Sequence, residues 1–372
     1  MGRGRPRGQD KTGISRRLIH FRRAQVRALV LCVIAGALFA WLKLPLPWMI
    51  GPLLAMAVGK ANGFELESPR LAREGGQTII AVALGLYFTP QVAAGVVNFV
   101  PWMFAAGLFA LALGLVSSAI VRILMGRNAN GDRVIDSATA FFGSVPGGAT
   151  EMAVQAERFG GRVDRVAFAQ SFRILVVVLT LPFIYRYADI HGLDPYVQGP
   201  QAVNAPGLAL LFALALGGGF LLALARAPNA FMLGPLLTVI VLTAADFNLS
   251  ALPGWLSAIG QLLLGCSLGA KFERDFFRAA PRFMFAVAAA TLVAISLSVV
   301  FATGLWRFAG IHLATGVLAV APGGIAEMCI TAKVMQVGVP VVTTFHIARV
   351  VFLVLFAGPA FAWFRNGSRK SS

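Results

Sequence analysis

Two stretches of this chain break an apolar run in the same way: Ser144-Val145-Pro146-Gly147-Gly148-Ala149-Thr150-Glu151-Met152 and Ala321-Pro322-Gly323-Gly324-Ile325-Ala326-Glu327-Met328. Proline removes a backbone donor, and glycine costs about 1 kcal/mol against alanine inside a helix. An acid in apolar surroundings costs more unless it has a role. A chain that carries this combination twice is therefore built around interrupted helices, and the interruptions are the first place to look for function.

The setting of the breaks is a membrane. The 372 residues are 58% hydrophobic and 13% charged, where soluble domains carry about a quarter charged residues. Repeated apolar runs of spanning length make an all-α, polytopic membrane protein the expected class. Cys32, Cys266 and Cys329 lie in apolar segments without metal-type spacing and read as membrane-buried thiols. The basic start followed by Ala28–Leu42 has the look of a signal peptide. That run belongs to an internal repeat, so no cleavage is expected.

The repeat covers most of the chain. Met49-Ile50-Gly51-Pro52-Leu53-Leu54 returns as Met232-Leu233-Gly234-Pro235-Leu236-Leu237, and Gln77, Gly85 and Phe88 return as Gln261, Gly269 and Phe272. The Pro-Gly-Gly stretches match at an offset of 176 residues, as do Arg173 and Arg349. The division is a basic tail over 1–27, a first membrane repeat over 28–186, a connecting loop over 187–206, a second repeat over 207–365 and a tail over 366–372. Six apolar elements are expected in each half: 25–42, 46–59, 77–93, 98–121, 134–158 and 165–185, then 208–225, 229–245, 255–270, 283–305, 310–335 and 339–364. The fifth is the broken one, each piece about half of a hydrocarbon core of about 30 Å.

Charge selects a topology. If each half crosses five times, the halves are inverted and 26 of the 32 Lys and Arg residues fall on one side, as the positive-inside rule asks of the cytoplasm. Six crossings per half would put Lys271, Arg274, Arg278 and Arg282 outside. The expected fold is two inverted repeats of about five transmembrane helices, each with one re-entrant or discontinuous helix. The location is a bacterial inner membrane, with both termini cytoplasmic.

Inverted repeats with broken helices place a site at the repeat interface. The residues expected there are Pro146, Gly147, Gly148, Glu151 and Arg173, with Pro322, Gly323, Gly324, Glu327, His346 and Arg349. Helix starts near Gly148 and Gly324 would offer free N–H groups to an anion. Glu151 and Glu327 either cap their own helices or carry a proton or cation. Arg173 and Arg349, about ten residues into the sixth elements, need partners: an ion pair with Glu151 or Glu327, or a carboxylate substrate. Gln170 and His346 occupy equivalent positions, and the histidine is either a structural hydrogen bonder or a titrating group. Gly51-Pro52 and Gly234-Pro235 either kink their helices or permit close packing.

The paired Pro-Gly-Gly-x-x-Glu-Met stretches, the Gly-Pro-Leu-Leu pair and the duplication together resemble the AbrB-type duplicated membrane proteins of bacteria. The resemblance brings two labels, ammonia monooxygenase and regulator of gene expression. Against the first, His20, His191, His312 and His346 share no ligand spacing, so no metal, no cofactor and no catalytic residue is expected. Against direct regulation, no loop is long enough for a DNA-binding domain. The leading expectation is a secondary transporter or exporter of a small polar, anionic metabolite, working by alternating access between inverted halves. A sensor acting indirectly on gene expression is the second, and a membrane oxidoreductase the third. Expected partners are a small metabolite, a proton or cation and the lipid bilayer, with no direct nucleic acid. A homo-oligomer is compatible with the sequence.

Overall fold

This computed structural model describes residues 11–69, 71–127, 134–192, 196, 198–199, 202–272 and 281–370. The described residues fold into helices and contain no β-strand. The first half comprises α1 (Lys11–Trp41), α2 (Pro47–Ala61), α3 (Ala72–Gly85), α4 (Pro90–Val96), α5 (Val100–Met125), α6 (Ser137–Ser144), α7 (Ala149–Arg158) and α8 (Val163–Tyr187). The second comprises α9 (Ala205–Leu224), α10 (Ala230–Ala244), α11 (Gly254–Gly269), α12 (Pro281–Ala309), α13 (Leu313–Val320), α14 (Ile325–Met335) and α15 (Val339–Lys370).

Among the described residues, six stretches are long and apolar enough to cross a membrane: Arg22–Trp41, Pro90–Met125, Val163–Tyr187, Ala205–Leu224, Pro281–Ala309 and Val339–Arg365. The chain is thus a polytopic helical membrane protein. Several boundaries differ from the apolar pattern, and the element expected over 77–93 is split between α3 and α4. The helix of the first span begins at Lys11, inside the expected tail, and the last runs to Lys370. The third element starts at Ala72, because a polar turn carrying Arg73, Glu74 and Gln77 is also helical.

α2, α3, α10 and α11 are short, with 14 to 16 residues each, or about 21–24 Å. They pack with α1 and α9 into one layer. Within it α2 lies against α11, α3 against α10 and against α11. Small residues permit the close crossings. A Cβ on Gly51 would overlap the Ala35 carbonyl, and one on Gly234 would overlap the Gly218 carbonyl. Pro235 sits inside α10 and frees the carbonyl one turn earlier. That carbonyl, of Phe231, accepts a hydrogen bond from Thr78 Oγ1 on α3 at 3.3 Å.

The second layer holds α5–α8 and α12–α15. Each layer therefore mixes both halves of the sequence. α5 packs on α12 and α15, and α12 on α8.

Both broken elements are hairpins closed at their bases. Arg162 N donates to Thr139 Oγ1 at 2.7 Å, joining the end of α7 to the start of α6. Asp136 completes that base as the N-cap of α6, accepting from Thr139 N at 2.7 Å. In the second hairpin a Cβ on Gly338 would overlap the Thr315 side chain. The bases lie at opposite ends of α8. That helix begins beside Thr139; near its end Tyr185 donates its hydroxyl to Ala314 O at 2.5 Å, and beyond it Gly192 N donates to Met335 O at 3.1 Å. Twenty-five residues separate these ends, about 37 Å. α15 does the reverse: Phe361, the counterpart of Tyr185, packs among Phe141, Phe142 and Phe159 of the first hairpin.

Candidate binding site at the two helix breaks

A broken helix creates orphan groups on both sides of the break: carbonyls at the end of the first piece, N–H groups at the start of the second. In a membrane interior each must find a partner. The last helix of each half supplies the partners for the carbonyls. Arg173 Nη1 donates to Val145 O at 2.9 Å, with Gly147 O further off at 3.5 Å from Nη2. Arg349 Nη1 and Nη2 donate to Ala321 O and Gly323 O, both at 2.6 Å. One turn earlier, Gln170 Nε2 donates to Phe142 O at 2.6 Å and Val145 O at 2.8 Å. At the equivalent place His346 Nε2 lies 2.8 Å from Leu318 O. A carbonyl only accepts, so this nitrogen carries the proton.

The ion pairs expected between these arginines and Glu151 or Glu327 do not form. The guanidinium groups cap the C-terminal ends of α6 and α13, where carbonyls carry the negative end of the helix dipole. The backbone of the break was the nearer source of acceptors.

The carboxylates instead fold back over their own helix starts. Gly148 and Gly324 are the N-caps, and Glu151 and Glu327 stand at the third helical position. A Cβ on Gly148 would overlap Glu151 Oε2, and one on Gly324 would overlap Glu327 Oε2. The first glycine of each pair serves a different neighbour. A Cβ on Gly147 would meet Met152 Cγ at 2.8 Å, and one on Gly323 would meet Met328 Cγ at 2.6 Å. The Pro-Gly-Gly-x-x-Glu-Met spacing is thus a packing rule: one glycine makes room for the methionine, the next for the acid.

Between the two layers, where the hairpin tips approach α3, α10 and α11, lies a cavity of about 90 Å³. The hairpin layer contributes Gly147 and Gly148 from one break, and Gly324, Glu327 and Arg349 from around the other. The facing layer contributes Arg73, Gln77, Asn229, Ser267 and Lys271. Arg73 Nη2 donates to Asn229 Oδ1 at 3.4 Å. A wider vestibule of about 600 Å³ shares Arg73, Gln77 and Asn229 with the cavity and reaches Glu151, Arg158 and Arg226. A third pocket, of about 360 Å³, opens beside Lys43, Arg186 and Gln336 and shares no residue with the cavity.

Of the expected site residues, Pro146, Gly147, Gly148, Gly323, Gly324, Glu327 and Arg349 line the cavity. Glu151 lines the vestibule. Arg173, Pro322 and His346 are buried behind the breaks. The polar residues at the ends of α3, α10 and α11 were not among the expected site residues, because Arg73 and Lys271 fall just outside the elements expected over 77–93 and 255–270. A signal existed in the departures from the repeat. Lys271 stands where the first half has Tyr87, Asn229 where it has Leu46, and Arg73 where the second half has Ser257. Among the described residues no group of three or more His, Cys, Asp or Glu side chains converges as a metal site.

Known relatives match over most of the chain. The protein called "Putative regulator AbrB" of Escherichia coli (strain K12) is 27% identical over 343 residues, covering 90% of this chain and 95% of its own. "Uncharacterized protein YhjN" of Bacillus subtilis (strain 168) is 28% identical over 270 residues, 68% of this chain and 70% of its own. The family described as "Transition state regulatory protein AbrB" matches residues 7–126 and 48–365. With breaks, duplication and match covering the same residues, the chain belongs to the AbrB family.

Proposed function

We propose that this protein is a secondary transporter of a small anionic metabolite, working by alternating access. The observation that carries this reading is the one-sided opening of the central cavity. It joins the vestibule at the Arg158–Arg226 end and shares no lining with the pocket at the Lys43–Arg186 end. Unwound backbone at membrane depth, with two helix starts at a polar cavity, is the usual setting of a transport site. The bodies that move are the two layers, since the cavity lies between them and each is internally packed.

In this reading the halves are inverted repeats. Support comes from α8, which begins at the base of one hairpin and ends at the base of the other. The Arg158–Arg226 end carries the excess of Lys and Arg and faces the cytoplasm, with both termini on that side of a bacterial inner membrane. The protein performs no catalysis, and its partners are the metabolite, a coupling proton or cation and the lipid.

The test is flux. Purified protein in liposomes, screened against a panel of organic anions by electrical recording, should carry at least one of them, with loss in Glu327→Gln. Absence of flux for every solute in a panel that includes neutral and cationic compounds would overturn the proposal. The name of the Escherichia coli relative favours a second reading, a sensor that acts indirectly on gene expression. Such a protein would bind the metabolite without moving it.

A further inference from the structure

The charge and shape of the cavity narrow the class of cargo, taking the transport site above as the place where cargo sits. The cavity is two-sided. On the hairpin side, Gly148 and Gly324, the N-caps of α7 and α14, line it. Beside them stands Arg349, 3% exposed, whose Nε has no hydrogen-bond partner although both terminal nitrogens are satisfied. On the facing side stand Arg73 and Lys271, with the neutral donors Gln77 and Ser267 between them.

Three cations thus line the cavity against one acid, Glu327, among the described residues. Glu327 lies over its own helix start, where the dipole already favours it. One carboxylate facing three cations leaves the cavity two positive charges in excess. Excess charge of one sign inside a membrane protein is costly unless a counter-charge enters. A monoanion would balance one side only.

We propose that the cargo is a small dianion that bridges the two layers. One acidic group sits beside Arg349, and the other between Arg73 and Lys271. The bridging geometry makes Arg73 and Lys271 specificity residues: they distinguish a dianion from a monoanion of the same length. Because the two acidic groups touch different layers, binding also draws the layers together around the cargo.

Binding to the purified full-length protein tests this, by calorimetry and thermal shift, without requiring flux. The probes are succinate and glutarate, their half-amides as monoanionic isosteres, and inorganic phosphate and sulfate as compact dianions. At least one dianion should bind, and a dicarboxylate that does so should exceed its half-amide by at least about tenfold. Lys271→Met and Arg73→Gln should each erase that preference by lowering dicarboxylate affinity, in protein that remains folded. Lys271→Arg keeps the charge and should retain the preference. Competition by phosphate or sulfate would identify a compact dianion as the tighter cargo, whereas its absence would assign the site to dicarboxylates. Equal affinity for dicarboxylate and half-amide, retention of the preference in both charge-removing variants, or no binding by any probe would overturn the proposal. Dianion binding without flux in liposomes would remove the transport reading and leave this one standing. Flux of a monoanion alone, with no dianion bound, would do the reverse.

Discussion

Arg173 donates from Nε to the carbonyl of Pro322, at 2.8 Å and 149 residues away in sequence. The bond ties the last helix of the first half to the break of the second. There is no reciprocal bond: Arg349 Nε, at the equivalent atom, has no partner. The repeats are thus alike in how each arginine caps its own break and unlike in the crossing. Arg173 is a structural pin, and Arg349 Nε is buried without a partner.

Replacing Arg173 by methionine should destabilise the protein by stripping the side-chain donor from Pro322 O, since Val145 O keeps its bond from Gln170. A buried carbonyl left unpaired costs about 1–3 kcal/mol, read as a lower melting temperature in detergent. Arg349→Met strips donors from two carbonyls, Ala321 O and Gly323 O, and should cost more. If Arg173→Met melted no lower than the unsubstituted protein, the crossing bond would contribute nothing.

The second glycine of each break is there for the carboxylate behind it. Gly324→Ala should destabilise by about 1–2 kcal/mol, because the new methyl displaces Glu327 from its helix start. Adding Glu327→Ala removes the collision. The double variant should then be no less stable than Glu327→Ala alone, a coupling that a double-mutant cycle measures. Strictly additive effects would place the cost of the methyl elsewhere.

These two cases mark what could be read from the chain without a fold. The breaks, the duplication and the membrane class were legible because proline, glycine and hydropathy act over a few residues or repeat at a fixed offset. The arginine partners were not, although counting would have reached them: a break at Pro146 frees the carbonyls around Val145, and these lie closer to Arg173 than any acid. The helical turn at Arg73–Gln77 was hidden because it faces a polar cavity, so its hydropathy resembles a loop. The layers were hidden for a different reason. Which of two equivalent helices packs on which is a tertiary choice, and nothing local distinguishes α2 on α11 from α2 on α3.

Gln170 and His346 do one job with different chemistry. Each is wholly buried and donates to the end of the first hairpin helix. His346→Gln should accordingly keep the melting temperature within a few degrees, since the amide can donate to Leu318 O as Gln170 does to Phe142 O. His346→Leu leaves that carbonyl unpaired and should cost about 1–3 kcal/mol. Loss of flux in a stable His346→Gln protein would assign the imidazole a role in transport beyond the hydrogen bond.

The last prediction concerns the direction of the hairpins. Arg158 ends α7 and Val334 lies in the last turn of α14, at equivalent positions in the repeat, and both side chains are exposed. The three native cysteines are buried, so a single cysteine placed at either position can be followed with an impermeant thiol reagent. In intact cells Val334→Cys should label from outside, and Arg158→Cys should label only after the membrane is opened. Two halves of the same orientation would give both positions the same accessibility, and that outcome would sink the inverted arrangement. In the inverted reading the positive charges near Arg158 set the sign, because a segment carrying Arg158, Arg162 and Arg165 should be retained on the cytoplasmic face. Substituting all three with glutamine should weaken that retention and raise external labelling of a cysteine at position 157.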